Sequence, residues 1–299
     1  MKALISGGSG LVGRYIVEAL LDAGYEVVTA GRAPPAEGLF SRPAEFRSLR
    51  LDPDADHGQL FAGIDVFIHA AFDHLPGRYR GGEGDNPEGF RRSNLDGTVR
   101  LFEAARIAGV KRVVFLSSRA VYDGVASGTR LTERLQVRPS SLYGEIKLLG
   151  EQALAAMNAP GFTTASLRLT GVYGGLRPNK WDSLFDDYLA GRMTKPRAGS
   201  EVHGRDAAQA VRLMLESEAP LVGGQSFNVS DLVADTRSIL APLHQSLPKP
   251  PDLPPSADKA AVAEMDTQEI RTLGWHPGGQ KQFEETLQLL IGSRSAPAS

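Results

Sequence analysis

The chain has 299 residues, enough to bury a large core, and we expect one large domain with a smaller appendage. A hydrophobic fraction of 41% and a charged fraction of 23% are typical of globular proteins. The formal net charge is -2 and the basic residues are scattered, so we expect no nucleic-acid partner. There is no cysteine, which excludes disulfides, thiolate nucleophiles and cysteine metal sites. No metal site is predicted.

The apolar segments are short. The first is interrupted by Gly7 and Gly8, which argues against a signal-peptide core, and the run at 66–72 is too short to span a bilayer. We therefore expect neither export nor a membrane partner. The absence of cysteine fits a reducing compartment, so a cytoplasmic location is predicted.

The first half alternates short β-branched runs with amphipathic stretches, the pattern of βαβ units. These elements predict an α/β fold with a doubly wound, mostly parallel Rossmann-type sheet, which binds ligands at the carboxyl ends of its strands. The predicted strands are 2–6, 25–30, 46–51, 65–70, 112–118 and 163–170, and the predicted helices are 11–23, 86–108 and 140–158.

From about residue 172 the pattern loosens, and helices are predicted at 178–190, 204–217, 257–272 and 280–291. We predict a Rossmann domain over 1–171 and a small C-terminal α/β substrate cap over 172–299, with about 204–230 returning to the Rossmann core. Three further segments are expected to be irregular. They are the Pro-rich surface connection at 247–255, a frayed tail from Ser293, and a polar loop at 72–89 that either rims the pocket or is disordered without function.

A glycine-rich turn, GGSGLVG, directly follows the first predicted strand and opens the first predicted helix. Glycines let the backbone approach a pyrophosphate, whose charge is held by the amides and dipole of the helix start. This context favours a dinucleotide site over a plain flexible turn. The candidate cofactor contacts are Gly7, Ser9, Gly10, Leu11, Val12 and Gly13.

The end of the second predicted strand lacks the acidic residue that would bind the ribose of NAD. Arg32 lies there instead, and its guanidinium suits the 2′-phosphate of NADP, although a solvated Arg in a turn is the alternative. NADP is therefore favoured over NAD. Asp52, just after the third predicted strand, either accepts from the adenine amino group or forms a turn with Pro53.

Tyr143 and Lys147 lie four residues apart near the start of a predicted helix, which places them on one helix face. A phenol has a pKa near 10, so its use as a base near neutrality needs that pKa to fall by about three, which a nearby ammonium favours. Alone, such a pair is more often a surface feature. Ser118 ends the fifth predicted strand at the ligand-binding edge, where it either bonds the reacting oxygen or satisfies local backbone.

In order and spacing, these motifs resemble those of the extended short-chain dehydrogenases/reductases of the NAD-dependent epimerase/dehydratase family. The similarity covers most of the chain. Besides the glycine turn and the Tyr-Lys pair, it rests on Ile68-His69-Ala70-Ala71, Asn94, Gly97-Thr98, Glu103-Ala104-Ala105, residues 115–122, Arg168, Gly171-Val172-Tyr173-Gly174, Leu273-Gly274-Trp275 and Pro277.

The resemblance implies that Tyr143 exchanges a proton with a substrate hydroxyl while hydride passes between that carbon and a nicotinamide. Lys147 would also hold the nicotinamide ribose, and Ser118 would orient the substrate oxygen. Ala70 and Ala71 would lie against the cofactor.

Several other candidates keep two interpretations. Asn94 either contacts the cofactor or is a helix-face amide, and His69 either contacts it or is a core imidazole. Arg168 and Tyr173, from the matching motifs, are candidate substrate residues. Arg119 is a third, either for a substrate carboxylate or phosphate or as a solvent-facing side chain.

The chain also departs from subclasses of the family. Arg119 and Ala120 replace the acid-base pair of the dehydratases, which disfavours dehydration. The nucleotide-sugar 4-epimerases usually carry a diphosphate-binding Arg before a Val-His-like strand. Here that position lies within residues 199–203, and Arg197 and Arg205 are out of step.

The sequence therefore predicts an NAD(P)-dependent oxidoreductase that interconverts a secondary alcohol and a ketone on a sugar-like or nucleotide-sugar substrate. The alternative is a nucleotide-sugar 4-epimerase that retains its NAD. A more remote alternative is a non-catalytic dinucleotide-sensing regulator, against which the intact Ser-Tyr-Lys set argues. The family also suggests a homodimer formed through paired helices of the Rossmann domain.

Overall fold

The computed structural model describes residues 1–75, 81–126 and 128–295. Its strands are β1 (Lys2–Ser6), β2 (Glu26–Gly31), β3 (Glu45–Ser48), β4 (Val66–His69), β5 (Arg112–Ser118), β6 (Thr163–Leu169), β7 (Gly171–Tyr173), β8 (Ala198–His203), β9 (Gln225–Val229) and β10 (Leu232–Asp235). Its α-helices are α1 (Leu11–Asp22), α2 (Pro87–Arg91), α3 (Gly97–Ile107), α4 (Leu142–Ala156), α5 (Asp182–Leu189), α6 (Gly204–Glu216), α7 (Ala219–Val222), α8 (Thr236–Ser246), α9 (Gln268–Thr272) and α10 (Gly279–Ser295).

The larger sheet has seven strands in the order β3-β2-β1-β4-β5-β6-β9, and the pairs along it are parallel. The order reverses at β1, which has β2 on one side and β4 on the other, so a crevice opens at the carboxyl end of β1. The predicted doubly wound Rossmann-type fold is confirmed.

Helices cover both faces of this sheet. Ile5 packs in the core cluster that includes Ile16 of α1, whereas Leu4 packs in the cluster that includes Phe102 of α3. Because successive strand residues point to opposite faces, an uninterrupted apolar strand is what a sheet covered on both sides requires. This explains why β1, β2, β4 and β5 were visible in the sequence as apolar runs.

The smaller sheet has the order β10-β8-β7, with β7 and β8 parallel and β8 and β10 antiparallel. It lies beside a separate apolar core, to which α5, α8 and α10 contribute. The segment predicted to return to the Rossmann core behaves differently from its neighbours, because α6 packs on α1 and β9 pairs with β6 in the large sheet. The exact division between domain and cap stays a prediction.

The helix predicted at 257–272 is wrong over most of its length, since only Gln268–Thr272 is helical. The residues before it form a turn at 259–262 and then a bridge to Leu131, so their backbone groups bond outside a helix. The carbonyl oxygen of Glu264 accepts from Leu131 N, and Asp266 N donates to Leu131 O. The helical spacing of alanines in this stretch therefore did not indicate a helix.

Two other expectations need adjustment. The helix predicted at 86–108 is a succession of α2, a wide π turn at Arg92–Asp96, and α3. The tail does not fray at Ser293, because α10 continues to Ser295 and the Arg294 guanidinium bonds Asp182 Oδ1 at 2.6 Å. Residues 296–299, and residues 76–80 of the polar loop, lie outside the described residues.

Candidate active site

A cleft of about 1780 Å³ runs along the carboxyl ends of β1, β2, β4, β5 and β6 and is covered on its other side by cap residues. The cap side includes segments next to α5, β8 and α8, and also residues 261–263, which precede α9. This is the edge at which doubly wound sheets bind their ligands. No cluster of three or more metal-ligating side chains occurs in the part of the chain that the structure describes.

The glycine turn has the geometry that a close phosphate approach needs. Gly7 has a φ of +72°, and a Cβ there would lie 2.8 Å from Ala71 N. A Cβ at Gly13 would overlap the carbonyl oxygen of Gly7. Gly10 precedes α1 and supplies no side-chain cap, so the helix N-terminal amides face the cleft without a protein side chain on them. All six predicted turn residues line the cleft, namely Gly7, Ser9, Gly10, Leu11, Val12 and Gly13.

Arg32 and Asp52 lie at the same end of the cleft, and Ala70 and Ala71 lie beside the glycine turn. The Arg32 guanidinium is 69% exposed and donates to Asp73 Oδ1 at 3.1 Å. Asp73 was not predicted from the sequence. Its only signal was its position shortly after β4, at the ligand-binding edge.

Asn94 does not line the cleft but supports its wall. Its Oδ1 accepts from Asp73 N at 2.6 Å, while its Nδ2 donates to the carbonyl oxygens of Asp73 and Phe90 at 2.7 and 3.0 Å. The π turn at Arg92–Asp96 contains Asn94, and its side chain takes over backbone partners of the Asp73 loop. The structure thus favours a positioning role over direct cofactor contact.

His69 is a buried imidazole held by two hydroxyls. Its Nδ1 is hydrogen-bonded to Ser6 Oγ at 2.7 Å and its Nε2 to Thr98 Oγ1 at 2.9 Å. Burial, and secondarily the nearby Lys147 charge, lowers the pKa of His69 to about 3. It is therefore neutral near pH 7, which matches the core interpretation.

Ser118 and Tyr143 are brought to one edge by a close contact between their elements. Ser118 ends β5, and its Oγ accepts from Ala120 N at 3.1 Å. Helix α4 begins after Ser141, whose Oγ accepts from Gly144 N at 3.2 Å. A Cβ at Gly144 would overlap the carbonyl oxygen of Ala120, so glycine allows the start of α4 to pack against the turn after Ser118.

Lys147 lies beneath this contact and is almost completely buried. Its Nζ donates to the carbonyl oxygen of Leu116 at 2.8 Å and is 4.7 Å from the ring centroids of Phe72 and Phe115. Burial lowers the pKa of Lys147 to about 7, although Glu151 opposes the shift. Tyr143, one turn earlier on α4, packs edge-on against Phe72 with ring centroids 5.0 Å apart.

The expectation that Arg168 and Tyr173 contact the substrate needs correction. Arg168 forms a buried ion pair with Glu151 at 2.7 Å and donates to Tyr122 Oη at 2.7 Å. Tyr173 is fully buried and stacks on Trp181 with ring centroids 5.2 Å apart. Neither is part of the described cleft lining. The Arg168 motif reflects packing of β6 on α4, and the Tyr173 motif reflects packing within the apolar core of the cap.

Arg119 does line the cleft, together with residues 261–263 of the cap. Its Nη2 donates to the carbonyl oxygen of Ala263 at 2.8 Å, which joins the end of β5 to that segment. Most of the cap side of the cleft was not predicted from the sequence. The charged and polar residues there are Thr170, Lys180, Lys195, Arg197, Ser200, Glu201 and Thr236.

Comparison with known proteins agrees with this geometry. Residues 3–230 match the family model described as NAD dependent epimerase/dehydratase family. The chain belongs to this family. A UDP-glucose 4-epimerase of Mycolicibacterium smegmatis is 31% identical over 301 residues, covering 93% of this chain and 94% of the relative. A 3 beta-hydroxysteroid dehydrogenase/Delta 5-->4-isomerase of Mycobacterium tuberculosis is 31% identical over 77% of this chain and 65% of its own length.

Solved structures of the family have the same architecture. The Thermus thermophilus UDP-glucose 4-epimerase in complex with NAD has a TM-score of 0.79 at 25% identity, covering 98% of this chain and all of the other. The protein MoeE5, in complex with UDP-glucuronic acid and NAD, has a TM-score of 0.78 at 26% identity, covering 99% and 100%. The predicted family, fold and NAD-linked enzyme class are confirmed. No helix among the described residues is long and apolar enough to cross a membrane.

Proposed function

We propose that this family member interconverts a secondary alcohol and a ketone on a sugar-like substrate, with Tyr143, Lys147 and Ser118 as catalytic residues. The supporting observation is the convergence at one edge of the cleft. Lys147 is fastened to the strand that ends in Ser118, and Gly144 lets the helix that bears Tyr143 pack against the turn after that strand.

The proposed proton transfer follows from this arrangement. In the oxidative direction the Tyr143 phenolate takes the proton of the substrate hydroxyl, and in the reductive direction the phenol returns it. A Lys147 ammonium below the ring favours the phenolate by Coulomb attraction in a poorly solvated site. Ser118 donates a hydrogen bond to the same substrate oxygen and holds it in place. When bound, the dinucleotide supplies a nicotinamide that accepts or gives the hydride.

The dinucleotide fits the described residues, because the open glycine turn and the uncapped start of α1 leave room and donors for a pyrophosphate. Arg32 is our candidate for recognising the 2′-phosphate of NADP, since it lines the cleft where an NAD enzyme would present an acid. Its ion pair with Asp73 weakens this preference, and the similar structures were obtained with NAD.

A second candidate function is nucleotide-sugar 4-epimerisation with retained NAD. It is favoured by the epimerase relative that matches almost the whole chain. The cleft also contains Lys195 and Arg197 just before β8, so cationic side chains are available to a diphosphate despite their changed spacing. Epimerisation uses the same three catalytic residues and returns the hydride to the opposite face of the ketone.

One experiment tests the proposal and separates the two reactions. The purified protein is denatured, the released dinucleotide is identified by mass spectrometry, and the emptied protein is titrated with NADPH and NADH. Stoichiometric retained NAD indicates an epimerase, whereas an empty protein that prefers NADPH indicates a reductase or dehydrogenase.

The catalytic assignment is tested with Tyr143→Phe, which keeps the ring against Phe72 but removes the phenolic proton. Turnover should fall by at least about a thousandfold, in line with general acid-base contributions, while the dinucleotide Kd stays close to wild type. A variant that keeps its turnover contradicts the mechanism. Homodimerisation also remains a proposal, and light scattering distinguishes a dimer from the 32.0 kDa monomer.

A further inference from the structure

Three polar residues line the cap side of the cleft close to the catalytic edge, namely Thr170, Lys180 and Glu201. Ser118 is in register with Leu169, the residue before Thr170. Gly171, the residue after Thr170, is in register with Glu201 on β8. The sheet edges therefore place Thr170 between the catalytic serine and Glu201.

The Thr170 hydroxyl is the first sign of a ligand contact. The residue is only 8% exposed, it lines the cleft, and its Oγ1 has no hydrogen-bond partner among the described residues. Buried hydroxyls are normally hydrogen-bonded, because an unpaired one loses its water contacts without compensation. A polar group of a bound substrate would supply the missing partner.

Lys180 and Glu201 form an ion pair that also lines the cleft. Their side chains are 24% and 12% exposed, so both are largely shielded from water. A Cβ at Gly171 would lie 2.7 Å from Glu201 Oε2 and 2.7 Å from Lys180 Nζ. The pair therefore lies directly against the backbone that follows Thr170, where a Cβ at residue 171 would displace the ends of both side chains. The Lys180 Nζ is also 5.6 Å from the Trp181 ring centroid.

This set has a definite chemical preference. The Glu201 carboxylate accepts hydrogen bonds, the Lys180 ammonium donates them, and the Thr170 hydroxyl does both. Adjacent hydroxyls on a sugar ring can satisfy all three. An apolar ring system placed here would offer no hydrogen bond to the charged pair or to the unpartnered hydroxyl, which is unfavourable.

We propose that Thr170, Lys180 and Glu201 form a subsite for the ring hydroxyls next to the reacting carbon, and that this subsite selects sugar substrates over apolar alcohols such as steroids. The position of the reacting carbon rests on the function proposed above. The subsite itself concerns binding and can be measured without turnover.

The test uses calorimetric titration of the Tyr143→Phe protein loaded with its dinucleotide, so that no reaction interferes. The probes are UDP-glucose, UDP, D-glucose and the 3β-hydroxysteroid dehydroepiandrosterone. In this background, Thr170→Val and Glu201→Gln should each raise the Kd of UDP-glucose by about tenfold, because each removes a buried hydrogen-bonding group. The Kd of UDP, which lacks the sugar, should be unchanged. If only free sugars bind, the same increase should be seen with D-glucose.

Thr164→Val is the matched control. Thr164 lies near the start of β6, whereas Thr170 directly follows the end of that strand. The Oγ1 of Thr164 is also buried without a partner among the described residues, but Thr164 does not line the cleft. It should leave every Kd unchanged. The subsite is overturned if sugar binding is unaltered in both Thr170→Val and Glu201→Gln. It is also overturned if the Tyr143→Phe protein without these substitutions binds the steroid more tightly than any sugar, or binds no sugar at all. The catalytic proposal fails on a different measurement, namely if the Tyr143→Phe protein without further substitutions retains its turnover.

Discussion

The ammonium of Lys147 donates a 2.8 Å hydrogen bond to the carbonyl oxygen of Leu116, two residues before Ser118 on the same strand. A proposed catalytic side chain on helix α4 is thereby hydrogen-bonded to the strand that ends in the proposed catalytic serine. The relative position of these groups depends on the packing of α4 against β5, which is rigid, and not on a mobile loop.

This relationship predicts an unusual pH dependence of stability. The pKa of Lys147 falls from 10.5 to about 7 on folding, so between those values the unfolded chain binds more protons and stability rises with pH. Below pH 7 the cofactor-free protein keeps a buried ammonium. Lys147→Met removes this group, so the free energy of unfolding of the variant should exceed that of wild type most below pH 7. This difference in free energy of unfolding should narrow by at most about 1.4 kcal/mol per pH unit as the pH rises to 10.5. Urea unfolding of the two cofactor-free proteins at several pH values measures this difference. If the free energies of unfolding of the two proteins change in parallel with pH, the prediction is wrong.

Cofactor preference should respond to the partner of Arg32. Asp73→Asn removes the charge that pairs with the guanidinium but keeps the backbone groups that Asn94 binds. Because exposed ion pairs contribute up to about 1 kcal/mol, NADPH affinity should rise by up to about fivefold while NADH affinity changes little. Arg32→Ala should have the opposite effect and lower the affinity for NADPH more than the affinity for NADH. Fluorescence titration with both dinucleotides provides the measurement, and equal effects on the two would exclude a 2′-phosphate contact.

The glycine turn offers a sharp test of cofactor binding. Gly13→Ala introduces a Cβ that overlaps the Gly7 carbonyl oxygen, so the turn must open and the pyrophosphate site is lost. Dinucleotide affinity should fall by at least about a hundredfold, the effect of losing about 2.7 kcal/mol. Gly292→Ala is the matched control, because it also lies in a helix and its Cβ meets nothing within 4 Å. That variant should bind normally and unfold at an equal or slightly higher temperature.

The ion pair between Glu151 and Arg168 should matter for stability. Both side chains are at most 6% exposed, so Glu151→Gln leaves a buried guanidinium without its counter-charge. Breaking such pairs typically lowers the free energy of unfolding by about 3 kcal/mol. The exposed pair Arg212–Glu216 on α6 provides a comparison, since Glu216→Gln should change stability by about 0.5 kcal/mol or less. Similar unfolding midpoints for the two variants would show that the buried pair is not required.

Local sequence patterns were sufficient for much of this molecule. The inner strands β1, β2, β4 and β5 contain apolar runs covered on both sides, and the glycine turn and the Tyr143–Lys147 pair each depend on spacing within one element. Strands β7, β8, β9 and β10 were missed because they mix polar with apolar residues and owe their regularity to pairing with distant segments.

The residues on the cap side of the cleft were missed for the same reason. Thr170, Lys180 and Glu201 come from separate segments and meet only after β7 and β8 have paired. Arg168 shows the opposite error. It belongs to a family motif, yet its buried partner Glu151 on α4 could be identified only once α4 had packed against β6.

The chain leaves the large sheet after β6, builds β7 and β8, and then returns to it with β9. No single cut in the polypeptide can therefore separate the two walls of the cleft. Truncation after residue 171 would remove β9, which pairs with the edge of β6, and α6, which packs on α1. Exchange of substrate specificity between relatives must accordingly proceed through several short insertions or through point changes, because a contiguous cassette for the cap does not exist.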